Sequence, residues 1–154
     1  MCIRDSYGTR DPRRRAGGNR IHHNKFHIVG KYYGTYEGNI PIATAVFMSV
    51  GDVQNFIYGN EVVVDHQDID TPAQACAFYI SGRTGGEYWN NKVTTNVPAF
   101  WIANPYGSAS DVVIRNNTIV KADDAPDDFQ PFRLGYRRFV AKNILFEGLS
   151  LIHI

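Results

Sequence analysis

Apolar and polar positions recur along this chain in a fixed grouping. Ile21, Ile57, Tyr88, Ile114 and Phe146 each stand three positions before a turn residue. The turn residues are Asn24, Asn60, Asn91, Asn117 and, in a degenerate copy, Leu149. Two positions after each comes another apolar residue: Phe26, Val62, Val93, Ile119 and Leu151. A short strand, a fixed turn residue and a second short strand, repeated along the chain, predict a β-solenoid in which each repeat is one coil.

A further apolar pattern lies between the turns. Val46 and Met48, Phe78 and Ile80, Phe100 and Ile102, and Phe132 and Leu134 each flank one residue of freer character. Alternation along a strand points the flanking pairs inward and the middle residues, Phe47, Tyr79, Trp101 and Arg133, outward. Phe78, Ile80, Phe100, Ile102, Phe132 and Leu134 are therefore the expected core. Each coil then carries three strands: this one, one ending before the Asn, and one just after it. The turn Asn residues are 36, 31 and 26 positions apart (24 to 60, 60 to 91, 91 to 117), the difference falling in connecting loops. Loops of unequal length leave a solenoid without disturbing its stack. The fold expected over residues 17–149 is all-β, a single-stranded parallel β-helix of about four to five coils.

The recurring Asn has a physical role. It tolerates the left-handed region and can bond backbone at a sharp corner. Stacked one rung apart, identical amides can bond one another as a ladder, which satisfies buried polar groups. This structural role is expected over ligand binding.

Composition agrees with strands. Nine Tyr, nine Phe and fourteen Gly stand against two Met. The net charge of +1 argues against a nucleic-acid partner held by phosphate neutralisation. No apolar run is long enough to cross a membrane as a helix, so no membrane partner is expected. The one basic cluster, residues 10–15 with Arg13, Arg14 and Arg15 consecutive, reads as a solvated or frayed end. Two cysteines, Cys2 and Cys76, imply no disulfide framework. Cys76 adjoins an expected strand and reads as a small buried apolar group.

Residues 1–6 and 150–154 resemble translated sequencing-adapter read-through from environmental assemblies. The expected division is therefore a non-native or disordered segment over 1–16, a β-helix fragment over 17–149, and an adapter-derived tail over 150–154.

Strand, Asn turn, strand, loop, strand resembles the right-handed parallel β-helix of the pectin-lyase-like superfamily. The resemblance rests on Ile21, Asn24 and Phe26, on Ile57, Asn60 and Val62, and on Ile114, Asn117 and Ile119, and it covers about residues 17–149. It implies a secreted or cell-surface protein acting on or binding acidic polysaccharide, as a polysaccharide lyase or a glycoside hydrolase. The alternative is a non-catalytic β-helix: a binding module, an adhesion protein or a tailspike-like protein. The resemblance also implies that substrate lies along the outer face of the strands carrying Phe78, Phe100 and Phe132. Of the polygalacturonase-type segments only an Asp-Asp pair occurs, twice, and the Trp-Ile-Asp-His segment of plant-pathogen pectate lyases is absent. Catalytic residues are not assigned.

The outward column of Phe47, Tyr79, Trp101 and Arg133 is the leading candidate for polysaccharide binding. Aromatic rings would stack on sugar faces, and a guanidinium would pair a uronate carboxylate in a fork. Arg83, Tyr106, Tyr136 and Arg137 flank it in loops. The same column could instead stabilise neighbouring strands, or lie beneath the long loops. Asp123, Asp124, Asp127 and Asp128 crowd one loop and could hold Ca²⁺, although turn chemistry is the expectation there and no metal or other cofactor is assigned. Asp65, Asp68 and Asp70 cluster around His66. His22 and His23 flank the first Asn turn and read as structural.

Overall fold

The computed structural model describes residues 18–30, 42–48, 54–67, 74–80, 85–103, 108–135 and 137–153. These residues form strands joined by turns and loops, with no helix among them. In chain order the strands are β1 (Arg20–His22), β2 (Lys25–Gly30), β3 (Ile42–Met48), β4 (Gln54–Tyr58), β5 (Glu61–His66), β6 (Gln74–Ile80) and β7 (Gly85–Trp89). They continue with β8 (Lys92–Thr95), β9 (Phe100–Ile102), β10 (Ala109–Arg115), β11 (Thr118–Lys121), β12 (Phe132–Leu134), β13 (Ala141–Glu147) and β14 (Ser150–His153).

Every third strand joins the same sheet. The first sheet runs β1-β4-β7-β10-β13, the second β2-β5-β8-β11-β14, and the third β3-β6-β9-β12. All the pairings are parallel, including β10 with β13. The molecule is a stacked β-solenoid, as the repeat predicts.

The register places like residues in columns. Ile21, Ile57, Tyr88, Ile114 and Phe146 are successive partners in the first sheet. Phe26, Val62, Val93, Ile119 and Leu151 form the matching column of the second. In the third sheet Val46, Phe78, Phe100 and Phe132 align. These columns meet in one interior cluster, where Phe78 stacks on Phe100 at 4.8 Å and Phe100 on Phe132 at 5.6 Å. Phe78, Ile80, Phe100 and Ile102 are fully buried, as expected. Phe132 is only half-buried, and Leu134 is 53% exposed, contrary to its assignment to the core. Both stand on β12, the last strand of the third sheet among the described residues. The side chains of Phe47 and Met48 lie outside the described residues.

The Asn ladder forms. Asn24, Asn60 and Asn91 each donate Nδ2 to Oδ1 of the next Asn, at 3.1, 2.9 and 2.9 Å. Each also donates its backbone N–H to the same oxygen. The second Nδ2 hydrogen of Asn60, Asn91 and Asn117 returns to the carbonyl of Ile21, Ile57 and Tyr88 in the preceding coil. An interior amide thus has its donors and its acceptor oxygen engaged, which removes the desolvation cost of burying it.

The left-handed backbone is not at the ladder Asn. It falls one residue earlier, at His23, Gly59, Asn90, Asn116 and Gly148, with φ between 53° and 63°. The residue that turns the corner takes the strain, and the ladder Asn that follows keeps ordinary backbone and uses its amide alone. Gly and Asn fill four of these five corner positions, as the left-handed region favours.

Ser150–His153, in the stretch read from the sequence as an adapter-derived tail, form β14 and pair with β11 in the parallel register of the other coils. Leu149 takes the fifth ladder position without an amide, so the side-chain ladder ends at Asn117.

Candidate ligand-binding face

The third sheet turns a column outward as expected, but not into solvent. Tyr79 is fully buried and Trp101 is 1% exposed. With Cys76 they form an apolar cluster separate from the solenoid interior. The Tyr79 and Trp101 rings meet edge-on at 5.2 Å, and the exposed Arg133 lays its guanidinium over Trp101 at 4.1 Å. The expectation of an open aromatic groove is therefore corrected: a ring without exposed surface offers no face to a sugar. Alternation fixed the side of the sheet correctly, and the surroundings of that side decided burial. Arg83, Tyr106 and Tyr136 lie outside the described residues, and Arg137 is exposed. Burial pushes the Cys76 thiol up to about 12, against the opposing effects of Thr44, the Trp101 backbone and Arg133. Cys76 is a buried apolar group, as read from the sequence.

The aromatic column that reaches solvent lies on the first sheet. His22, Tyr58, Trp89, Arg115 and Glu147 are successive register partners, each two positions before the ladder residue of its coil. The His22 and Tyr58 rings are 4.8 Å apart and 7° from parallel; Tyr58 and Trp89 are 4.3 Å apart and 10° from parallel. Arg115 continues the stack with its guanidinium 5.5 Å from the Trp89 ring. His23 abuts Tyr58 edge-on, and its Nδ1 lies 2.8 Å from His22 Nδ1. Tyr58, Trp89 and Arg115 are half-buried, and His22 is exposed.

A second outward column runs beside it through Arg20, Phe56, Glu87 and Val113. Phe56 meets Trp89 edge-on at 6.3 Å, and Arg20 reaches over Phe56. Arg115 Nη2 donates to Glu87 Oε2 at 2.8 Å and joins the two columns. Both partners are partly exposed, so the bridge positions the guanidinium more than it stabilises the fold.

This geometry fixes what a ligand can meet. Each inner ring is covered on its faces by its neighbours in the column, so ring edges and polar tips face solvent. The tips are the imidazoles of His22 and His23, the Tyr58 hydroxyl, the Trp89 indole N–H and the Arg115 guanidinium. They recur once per coil, at about the 4.8 Å spacing of strands. The arrangement is a linear row of hydrogen-bond donors flanked by cations, with Glu87 already engaged.

The sequence carried this signal in the second position of each repeat motif, where His22, Tyr58, Trp89 and Arg115 stand. The corner role of His22 and His23 masks it, because the same residues flank the first Asn turn.

The acidic loop is exposed at Asp123, Asp124, Asp127 and Asp128, and Asp124 Oδ2 accepts from Asn96 Nδ2. The Asn96 amide also holds the peptide of the buried His66. Asp68 and Asp70 lie outside the described residues. Among the described residues no group of three or more His, Cys, Asp or Glu side chains is placed to hold a metal ion.

No protein-family model matches the chain, and neither the curated proteins nor the solved structures contain a significant match to it.

Proposed function

We propose that this protein binds an extended acidic polysaccharide along the outer face of the first sheet. The observation that carries the reading is the column of His22, Tyr58, Trp89 and Arg115, four stacked side chains in four successive coils, with their polar edges toward solvent. A linear polymer of hydroxyls and carboxylates matches such a row of donors in repeat and in chemistry. Arg115, held in place by Glu87, supplies the planar fork for a uronate carboxylate. The proposed setting is secreted or on the cell surface, and the resemblance to the pectin-lyase-like superfamily supports the same class of ligand.

Within this reading a binding or adhesion role is favoured over a lyase or hydrolase. Eliminating a uronate or cleaving a glycoside needs a free base or a pair of carboxyl groups beside the scissile bond. Glu87, the carboxylate at the centre of the face, is committed to Arg115, and the other titratable groups of the column, His22 and His23 at one end and Glu147 at the other, stand at opposite ends of it rather than beside one another.

The test is affinity electrophoresis in gels containing polygalacturonate or alginate, with neutral dextran as control. The parent is expected to be retarded by the uronate polymers alone. Arg115→Ala and Trp89→Ala should each weaken binding about tenfold, the loss of one charge-assisted hydrogen bond. Arg133→Ala, on the third sheet, should leave binding unchanged. The reverse ranking would move the site to the third sheet, and equal retardation of all forms would remove the first-sheet site.

A further inference from the structure

We propose that Asn116 is an acceptor for an N-linked oligosaccharide. The modification requires the secreted setting proposed above and is separate from ligand binding at the first sheet.

Asn116-Asn117-Thr118 is the one Asn-x-Ser/Thr triplet in the chain. Such a triplet often arises by chance, and it becomes a site only on a surface turn that leaves the first amide free. The repeat decides which Asn can meet that condition. Each ladder Asn is followed two positions later by a core residue, Phe26, Val62, Val93 or Ile119, so no ladder Asn carries a hydroxyl partner. The corner residue before it is followed instead by the first residue of a second-sheet strand. These residues, Lys25, Glu61, Lys92 and Thr118, form one column. Among the corner residues His23, Gly59, Asn90 and Asn116, only Asn116 combines an amide with a hydroxyl in that column.

The two neighbouring amides have different tasks. Asn117 is fully buried, and its Nδ2 donates to the carbonyls of Tyr88 and Arg115. Asn116 is exposed, with φ 53°. Its backbone N–H donates to the Glu147 carbonyl, which ties the corner to the next coil. Its side chain lies with Oδ1 over Gly148, where a Cβ would overlap it. Asn116 Nδ2 has no hydrogen-bond partner among the described residues. Replacing one Nδ2 hydrogen by a sugar therefore breaks no internal hydrogen bond. The same change at Asn117 would break the ladder.

The co-reactant is an oligosaccharide carried on a lipid pyrophosphate. Asn116 Nδ2 forms a bond to the anomeric carbon while the bond from that carbon to the pyrophosphate oxygen breaks. The lipid pyrophosphate leaves with the electron pair, and one Nδ2 proton is released; nothing is oxidised or reduced. Thr118, half-buried at the start of β11, supplies the hydroxyl by which a transferase selects the triplet.

Cell-free translation of the full chain behind a cleavable secretion signal, with microsomal membranes, tests this. Protection from added protease shows independently that the chain has entered the lumen. The protected parent should show a single upward step in gel mass that an N-glycosidase removes. Glycosidase release in heavy-oxygen water, followed by peptide mapping, should place the label at residue 116. Thr118→Ala should abolish the step, and Thr118→Ser should keep it. Asn90 occupies the equivalent corner, exposed and also with φ 53°, but is followed by Lys92. Lys92→Thr should therefore add a second step, at residue 90. The glycosylated and the glycosidase-treated parent should unfold at the same temperature, since the Asn116 amide bonds nothing inside. A protected parent without a glycan overturns the proposal, as does a label at any other residue. A Lys92→Thr chain that gains no second glycan, or a fold lost while the glycan is attached, overturns the role given to the corner.

Discussion

Asn91 Oδ1 accepts twice from Asn60, from the side-chain Nδ2 at 2.9 Å and from the backbone N–H at 3.0 Å. One oxygen thus fixes the corner of the preceding coil. The Asn91 amide nitrogen simultaneously holds Asn117 Oδ1 and the carbonyl of Ile57.

Replacing Asn91 with Ala leaves the Asn60 backbone N–H and one Asn60 Nδ2 hydrogen without their acceptor and removes a donor from the Ile57 carbonyl, in a buried site, while Asn117 Oδ1 keeps the backbone N–H of residue 91. The expected loss of stability is at least about 2 kcal/mol, since each unsatisfied buried group costs about 1–3 kcal/mol. Asn24→Ala should cost less, because Asn24 is exposed at the end of the ladder. Urea denaturation of both variants checks the ranking; equal losses would mean that burial does not set the strength of the ladder.

The Tyr88 hydroxyl is buried in the interior with no hydrogen-bond partner among the described residues. Phe78 and Phe100 meet its ring edge-on at 5.7 and 5.9 Å, and burial pushes its pKa up. Tyr88→Phe keeps the ring and removes the unsatisfied oxygen. It should leave stability unchanged or raise it by about 1 kcal/mol. A clear drop in melting temperature would reveal a hydroxyl that is bonded after all.

Phe100 lies between Phe78 and Phe132 in the interior stack and is fully buried. Phe100→Ala should cost about 3–5 kcal/mol through lost contact and the cavity left behind. Leu134→Ala, at the exposed end of the neighbouring column, should cost under about 1 kcal/mol. Thermal unfolding of the two variants side by side measures the difference between interior and edge.

Gly86 has φ 145°, and a Cβ there would stand inside contact distance of the Asn55 carbonyl oxygen. Gly86→Ala is strained by its backbone and by a neighbour that is itself main chain. A loss above about 2 kcal/mol is expected, combining backbone strain with overpacking. Gly18→Ala meets open space beside a left-handed φ of 69°, so it should show the backbone part alone. Chemical denaturation of the pair separates the two contributions.

The Cys76 thiol, at about 12 in the folded state against 9.0 as its ordinary value, binds its proton more tightly when folded. Between these pH values the native state holds the proton and the unfolded state releases it. Stability is therefore unaffected below pH 9 and falls as pH rises from 9 toward 12. Cys76→Ala should flatten that part of the stability profile. Iodoacetamide at pH 8 should leave Cys76 unmodified in the folded protein and label it in urea.

Much of the fold was legible in the sequence. Asn24, Asn60, Asn91 and Asn117 announced the coil, and the apolar residues at fixed offsets announced which side faces inward. Phe78, Ile80, Phe100 and Ile102 are buried for the reason their alternation gives. The left-handed corner was legible too, in Gly59, Asn90, Asn116 and Gly148. It was misplaced by one residue because Asn at the neighbouring position has the same local preference, and only the ladder shows which of the two turns the chain.

The candidate site divided differently. The sequence by itself determined which residues share a column: Tyr79, Trp101 and Arg133 in one, His22, Tyr58, Trp89 and Arg115 in another. Repeat spacing is a local property, and parallel stacking converts it directly into columns. Only the tertiary structure decided that Tyr79 and Trp101 are buried while Tyr58 and Trp89 keep their edges in solvent. Alternation says on which side of its own sheet a residue stands. What lies over that side depends on parts of the chain distant in sequence, and no periodicity within a strand encodes them.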